Sequence, residues 1–248
     1  MKRVLEQLKH YARNIDLSSR YSWEFDGTFL DSIPQIAKYI NSNFQNGFKR
    51  NIELKLKLTE YFQKKPSDVD GLHFWIINDW GGIKNFKKTP ENIQKINNYR
   101  NEIRGESLSR SSFSTISSLS KLSSFWDCRN YIIYDSRVIY ALNWLILKWA
   151  QKKKYFRTPA GRNKIIANYD IDTIVRLFHI QSDQSKLYYN DKVAYQRYCA
   201  LIKDWSSQVW TDECRKEYPF YLEMLLFCIS DKEIFEDMKK SINIEIKG

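Results

Sequence analysis

A lysine and an aspartate near the middle of the chain have side chains suited to chemistry. Lys121 lies in a serine-rich stretch, and Asp135 follows the short apolar segment 131–134. A lysine among hydroxyl groups indicates a phosphate nearby. An aspartate before an apolar helix is an ordinary helix cap, but the cap also fixes a carboxylate where it can stabilise positive charge and activate a nucleophile.

Apolar residues recur at helical spacing along nearly the whole chain, and alternating strand patterns are almost absent. Thr89-Pro90-Glu91 is a strong helix start, with a hydroxyl cap followed by a proline at the first helical position. The serine-rich stretch 107–124 also carries an apolar residue at every third position, which favours short ordered helices over a disordered linker. The sequence therefore predicts an all-α protein.

Residues 116–142 resemble the helix-hairpin-helix DNA glycosylase superfamily. In that family a hairpin and a lysine are followed by an apolar run and a catalytic aspartate that opens a helix. Ser117, Ser118 and Ser120 stand at the hairpin here, with Lys121 at the lysine position. The family hairpin is usually rich in glycine, so that the backbone can approach a phosphate, and this chain has serines instead.

The resemblance implies a single all-α unit over 1–248, folded as a two-lobed helical bundle of the helix-hairpin-helix glycosylase type. A middle helical lobe of about residues 50–130 would end in a hairpin at 113–125. The second lobe would combine about residues 1–49 with 131–248. Lys121 and Asp135 would lie in the cleft between the lobes.

The resemblance also implies a DNA glycosylase that flips a damaged or modified base out of the duplex and excises it. Asp135 would assist attack at C1′ of the sugar. Lys121 would either attack C1′ itself, giving a Schiff base and AP lyase activity, or bind a phosphate while water attacks.

Two further groups of side chains complete the expected site. Ser117, Ser118, Ser120, Lys121 and Arg137 would contact the DNA backbone. A flipped base would be held by flat rings near the hairpin or in the middle lobe, for which the candidates are Trp75, Trp126 and Tyr134, although each ring also suits the hydrophobic core.

The composition fits a polyanionic partner. A net charge of +11 and a pI near 9.3 favour double-stranded DNA, although a lysine-rich composition alone has the same effect. The cysteines and histidines are scattered without metal-ligand spacing, so we expect no metal and no cofactor. No apolar run is long enough to span a membrane, so we expect a cytoplasmic protein, associated with the nucleoid if it is bacterial. We also expect a monomer.

Two alternatives stay open. The chain could be a non-enzymatic DNA-binding protein of the same fold, or a helical interaction protein of a phage or a defence system whose charge is incidental. If it is a glycosylase, DNA repair and antiviral defence are both compatible with the sequence, and the identity of the excised base is not determined.

Overall fold

The computed structural model describes residues 1–40, 47–150, 154–161 and 163–243. These residues are mainly helical, and their β-type pairing is one isolated parallel bridge between Tyr155 and Tyr188, so the predicted all-α class is confirmed. None of the helices in these ranges has the length and apolar character needed to cross a membrane. The helices are α1 (Lys2–Asn14), α2 (Leu17–Arg20), α3 (Pro34–Ile40), α4 (Gly47–Gln63), α5 (Asp70–Trp75), α6 (Pro90–Glu102), α7 (Arg110–Ser114), α8 (Ile116–Trp126), α9 (Ser136–Ala150), α10 (Lys164–Ala167), α11 (Ile171–Phe178), α12 (Asp191–Val209), α13 (Glu213–Glu217), α14 (Phe220–Ile229) and α15 (Phe235–Ser241).

The apolar helices α9 and α14 pack against each other in one contiguous hydrophobic core. Every residue from 138 to 147 of α9 is buried, and α1 and α11 also pack on this helix. On the other side of the core, α8 packs against α4 and α6 and against a π-helical turn, Ile76–Trp80, that continues α5. A second π-helical turn, Ser230–Ile234, joins α14 to α15. Turns of this kind are often found at functional sites.

The stretch 113–125, predicted to hold a hairpin, forms two short helices as its three-residue spacing indicates, and the serines assigned to the turn are helical. These residues belong to α7 and α8, which are separated at Thr115, and the serines at 117, 118 and 120 lie inside α8. The hydroxyls of Ser123 and Ser124 donate to carbonyls three residues earlier at 3.2 and 2.8 Å. Because small hydroxyl side chains can be satisfied within a helix in this way, the apolar residues at every third position prevail over the turn preference of serine.

A buried histidine joins α5 to the end of α8. The ring of His73 stacks on Phe62 with a centroid distance of 5.6 Å, and its Nε2 accepts a hydrogen bond from Trp126 Nε1 at 3.2 Å. Burial lowers the pKa of His73 to about 3, and the positive charge of Arg100 adds to this effect. The imidazole is therefore neutral at neutral pH, so its 4.0 Å approach to Asp70 is not an ion pair.

This neutral histidine makes stability depend on pH. The folded-state pKa of His73 lies below the ordinary value of 6.5, so the folded protein binds this proton less tightly than the unfolded chain does. The contribution of neutral His73 to the free energy of unfolding is fully present above pH 6.5, and it is lost as the pH falls from 6.5 towards 3. From about pH 7 to about pH 4, we expect the wild type to lose on the order of 3 kcal/mol more unfolding free energy than His73→Gln, measured by urea denaturation.

The matched control is His10→Gln, because His10 lies on the surface of α1. Its unfolding free energy should follow the wild-type pH dependence. Parallel pH profiles for the wild type and His73→Gln would contradict the assignment of a neutral buried His73.

Candidate functional site

A cleft of about 800 Å³ lies beside the start of α8 and the start of α9. It is lined by Trp23, Gly81, Gly82, Ile83, Lys84, Asn85, Phe86, Ser114, Thr115, Ser117, Ser118, Lys121, Asp135, Ser136, Arg137, Ala160, Gly161, Asn163 and Phe227. Both residues that the sequence singled out for chemistry, Lys121 and Asp135, line this cleft. They come from separate helices and meet only in the folded chain.

Lys121 reaches the cleft from inside the core. Its side chain is only 6% exposed, and its Nζ donates a hydrogen bond to the carbonyl of Ser117, one turn earlier in α8, at 2.8 Å. Gly81, which ends the first π-helical turn, lies directly against this side chain. A Cβ atom at Gly81 would be 2.5 Å from Cδ of Lys121, so the absence of a side chain there permits the approach of the lysine stem.

Asp135 is fixed by the segment that connects α8 to α9. The hydroxyls of Tyr195 and Tyr198, both on α12, donate to the carbonyls of Ile132 and Ile133 at 2.9 and 2.7 Å. At the end of the segment, Oδ1 of Asp135 accepts a hydrogen bond from the backbone N–H two residues later at 2.9 Å. Asp135 therefore caps α9, and the cap holds its carboxylate at the wall of the cleft.

Arg137 also lines the cleft, but its guanidinium already has neighbours. It lies 3.6 Å from an oxygen of Asp231, which belongs to the second π-helical turn, and its Cζ is 4.6 Å from the centroid of the Phe227 ring. The pair is about one third exposed, so its contribution to stability is small. An anion in the cleft could therefore recruit Arg137 at little cost.

The serines of α8 divide into two groups. Ser117 and Ser118 line the cleft, as expected for contacts with a ligand. Ser120 was expected to contact DNA, and that expectation is wrong, because Ser120 is fully buried and its Oγ accepts a hydrogen bond from the backbone N–H of Tyr134 at 2.9 Å. Its role is to hold the segment that carries Asp135.

The rings predicted to form a base pocket are not in the cleft. Trp75 is buried and donates to the carbonyl of Asp26 at 3.1 Å, while Trp126 donates to His73. Tyr134 is buried, and its hydroxyl donates to the carbonyl of Arg157 at 2.8 Å. All three rings are committed to packing and to internal hydrogen bonds. The large rings at the cleft are instead Trp23, Phe86 and Phe227.

A smaller recess of about 40 Å³ adjoins the cleft and contains a buried carboxylate. Glu223 of α14 lies in this recess together with Lys121 and Asp135. Burial raises the pKa of Glu223 to about 7, the charge of Asp135 raises it further, and the ammonium groups of Lys55 and Lys121 oppose the shift. Glu223 therefore holds its proton more readily than an exposed glutamate does.

Lys55 supports this charged cluster from α4. It is completely buried, its Nζ donates to Ser124 Oγ at 3.2 Å, and it lies 4.9 Å from the centroid of the Phe125 ring and 5.4 Å from that of Trp80. Burial lowers the pKa of Lys55, while the charge of Glu223 opposes that shift. The aromatic faces and the carboxylate are what make a cation tolerable there.

Sequence reasoning missed Glu223, Lys55 and Trp23. Glu223 had a usable signal, because it is the only charged residue in the apolar run Phe220–Ile229, where an acid faces the core at a cost. Lys55 gave no such signal, since lysines and leucines alternate around it. Trp23 lies in a connection without helical periodicity, and only its tertiary contacts bring it to the cleft.

The residues that the structure describes include no group of three or more His, Cys, Asp or Glu side chains placed to hold a metal ion. No family model, curated protein or solved structure matches the chain. The chemistry of the cleft is therefore the basis for assigning a function.

The contact between Gly81 and Lys121 can be tested by Gly81→Ala. The new Cβ would overlap Cδ of Lys121 and would also lie 2.6 Å from the carbonyl oxygen of Ile77, which cannot move aside as a flexible stem can. We expect a loss of about 2 kcal/mol in unfolding free energy, measured by urea denaturation. Gly105→Ala is the control, because the nearest contact of its Cβ would be 3.3 Å. Equal losses in the two variants would rule out tight packing at Gly81.

Proposed function

We propose that this protein is a DNA glycosylase of the two-lobed helix-hairpin-helix type, which excises a damaged or modified base. The observation that supports the proposal is that Lys121 and Asp135 line one cleft, with Ser117, Ser118 and Arg137 beside them. A nearly buried amine and a helix-capping carboxylate are the two groups that cleavage of an N-glycosidic bond can use at C1′.

Asp135 carries the chemical step. As the bond between C1′ and the base breaks, the bonding electron pair leaves with the base and positive charge develops on the sugar. The carboxylate of Asp135 opposes that charge, and it can accept a proton from the group that attacks C1′. The departing base takes up a proton, so that a neutral base is released.

Lys121 is the proposed nucleophile. The neutral amine attacks C1′ and the base leaves with the electron pair of the N-glycosidic bond. A proton then passes from Nζ to O4′ as the C1′–O4′ bond breaks, which opens the sugar ring and leaves an iminium between Nζ and C1′. Attack requires a neutral amine. The side chain of Lys121 is only 6% exposed, so its amine is largely shielded from bulk water. Removal of a C2′ proton then expels the 3′ phosphate, which is the AP lyase step.

The mouth of the cleft suits a DNA phosphate. Ser114 and Thr115 lie at the end of α7, and Ser117 and Ser118 lie in the first turn of α8, where hydroxyls and the dipole of α8 favour an anion. Arg137 adds a guanidinium to the lining of the cleft, and the net charge of +11 attracts the duplex from a distance. These donors replace the glycine-rich hairpin of the family.

Asp135→Asn tests the enzyme. Asparagine keeps a capping oxygen for the start of α9, so we expect wild-type melting and retained, salt-sensitive duplex binding. It removes the charge that opposes the developing cation, so release of the base should slow by ~10²–10³. The measurement is mass spectrometry of bases released from duplexes that carry damaged or naturally modified bases.

Three outcomes would contradict this proposal. If the wild type binds no duplex at low salt, nucleic acid is not the partner. If it binds duplex but releases no base, the chain is a non-enzymatic DNA-binding protein. Normal release by Asp135→Asn would remove Asp135 from the mechanism.

Borohydride trapping tests Lys121. Reduction of the iminium should link the wild-type protein covalently to a duplex from which the base is excised, and Lys121→Ala should give no adduct. Lys84→Ala is the matched control, because Lys84 also lines the cleft but is largely exposed and pairs with Asp79 at 2.7 Å. If Lys121→Ala still releases the base and the wild type gives no adduct, water attacks and Lys121 binds a phosphate.

A further inference from the structure

The small recess beside the cleft is built like a binding site. It shares Trp23, Phe227, Lys121 and Asp135 with the cleft, so that a ligand in the cleft lies next to it. The ring of Phe227 stands edge-on to that of Trp23, with a centroid distance of 5.9 Å and an angle of 87° between the planes. Glu223 adds a carboxylate that lines the recess but not the cleft.

Glu223 has an unused acceptor. Its side chain is 3% exposed, and its Oε2 is buried without a hydrogen-bond partner among the residues that the structure describes. A buried carboxylate oxygen without a donor is costly, so native proteins normally supply a partner from the protein, from water or from a ligand. The recess is therefore suited to a ligand group that carries a hydrogen-bond donor.

The size of the recess limits that group. A volume of about 40 Å³ holds little more than one group of the size of a water molecule, which fits an amino group but not an aromatic ring. The ring that carries the amino group must then remain in the cleft, where the half-buried rings of Trp23 and Phe227 offer an aromatic wall. Nucleobases stack on such rings whatever their sequence.

We propose that Glu223 and this recess recognise an exocyclic amino group of the extruded base, so that the protein prefers amino-bearing bases to bases that carry only oxo groups at the same position. This inference rests on the proposed function, because it names the base class that the cleft takes. The ionised carboxylate of Glu223 has no hydrogen to offer a carbonyl oxygen placed in the recess, and such a contact rejects the wrong base strongly. Because burial raises the pKa of Glu223 to about 7, this preference is expected above pH 7, where the carboxylate form prevails, and the binding tests belong in that range.

Free nucleobases test this preference without requiring catalysis. Adenine and hypoxanthine form one matched pair, and cytosine and uracil form another, since each pair differs by an amino group in place of an oxo group. Their affinities for the full-length wild type can be measured by quenching of tryptophan fluorescence. We expect the amino-bearing member of each pair to bind about tenfold more tightly.

Glu223→Gln tests the residue itself. A glutamine can present either its oxygen or its amide N–H to the ligand, so the preference within each pair should fall below about threefold. Glu213→Gln makes the same chemical change on an exposed residue and should retain the wild-type preference. The wild-type comparison stands by itself if Glu223→Gln does not fold.

The inference is overturned if the wild type binds both members of each pair equally, prefers the oxo member, or binds neither base up to its solubility limit. It is also overturned if a folded Glu223→Gln keeps the full preference. Release of a base from duplex DNA is measured separately. Base release without an amino preference contradicts only the proposed recognition by Glu223. An amino preference without base release supports that recognition and contradicts the proposed glycosylase activity.

Discussion

The position of Asp135 depends on hydroxyl groups that hold the extended segment between α8 and α9 from both sides. Tyr195 and Tyr198 bond its carbonyls from α12, and Ser120 bonds its last N–H from α8. An extended segment inside a helical core has no ladder of its own, so each buried backbone group needs such a partner. These bonds hold the segment against α12 and α8, so that it ends at the cap of α9 beside the cleft.

Burial of the charged side chains next to the cleft reduces the stability of the folded protein. Lys55 and Glu223 are buried in a region of aromatic and aliphatic side chains, where a well-packed apolar pair is often at least as stable. Lys121 adds a second amine to the same region. Residues that weaken a core in this way are expected at a functional site. The proposed chemistry supplies a reason for Lys121, and the proposed recognition of the base supplies one for Glu223.

Helical class and the cap at Asp135 could be predicted because both depend on local spacing, as in the three-residue repeat through Leu119 and Leu122. The helical state of Ser117, Ser118 and Ser120 could not be predicted from residue type, because serine suits turns and helices alike. The rings that line the cleft could not be predicted for another reason. Which tryptophan faces a cleft is set by tertiary packing, which buries Trp75 and commits Trp126 to His73 but brings Trp23 to the cleft. The division into two lobes stays a prediction.

The walls of the cleft differ in how easily they can respond to a ligand. Lys121, Asp135 and Glu223 are held by buried helices, so the groups proposed for chemistry and for recognition are fixed before a ligand arrives. Arg137 is different, because its pairing with Asp231 is partly exposed and long. A phosphate can compete for this guanidinium with little loss, since an exposed ion pair contributes little to stability. A contact between Arg137 and a phosphate of the DNA backbone can thus add binding energy while Lys121, Asp135 and Glu223 stay in place.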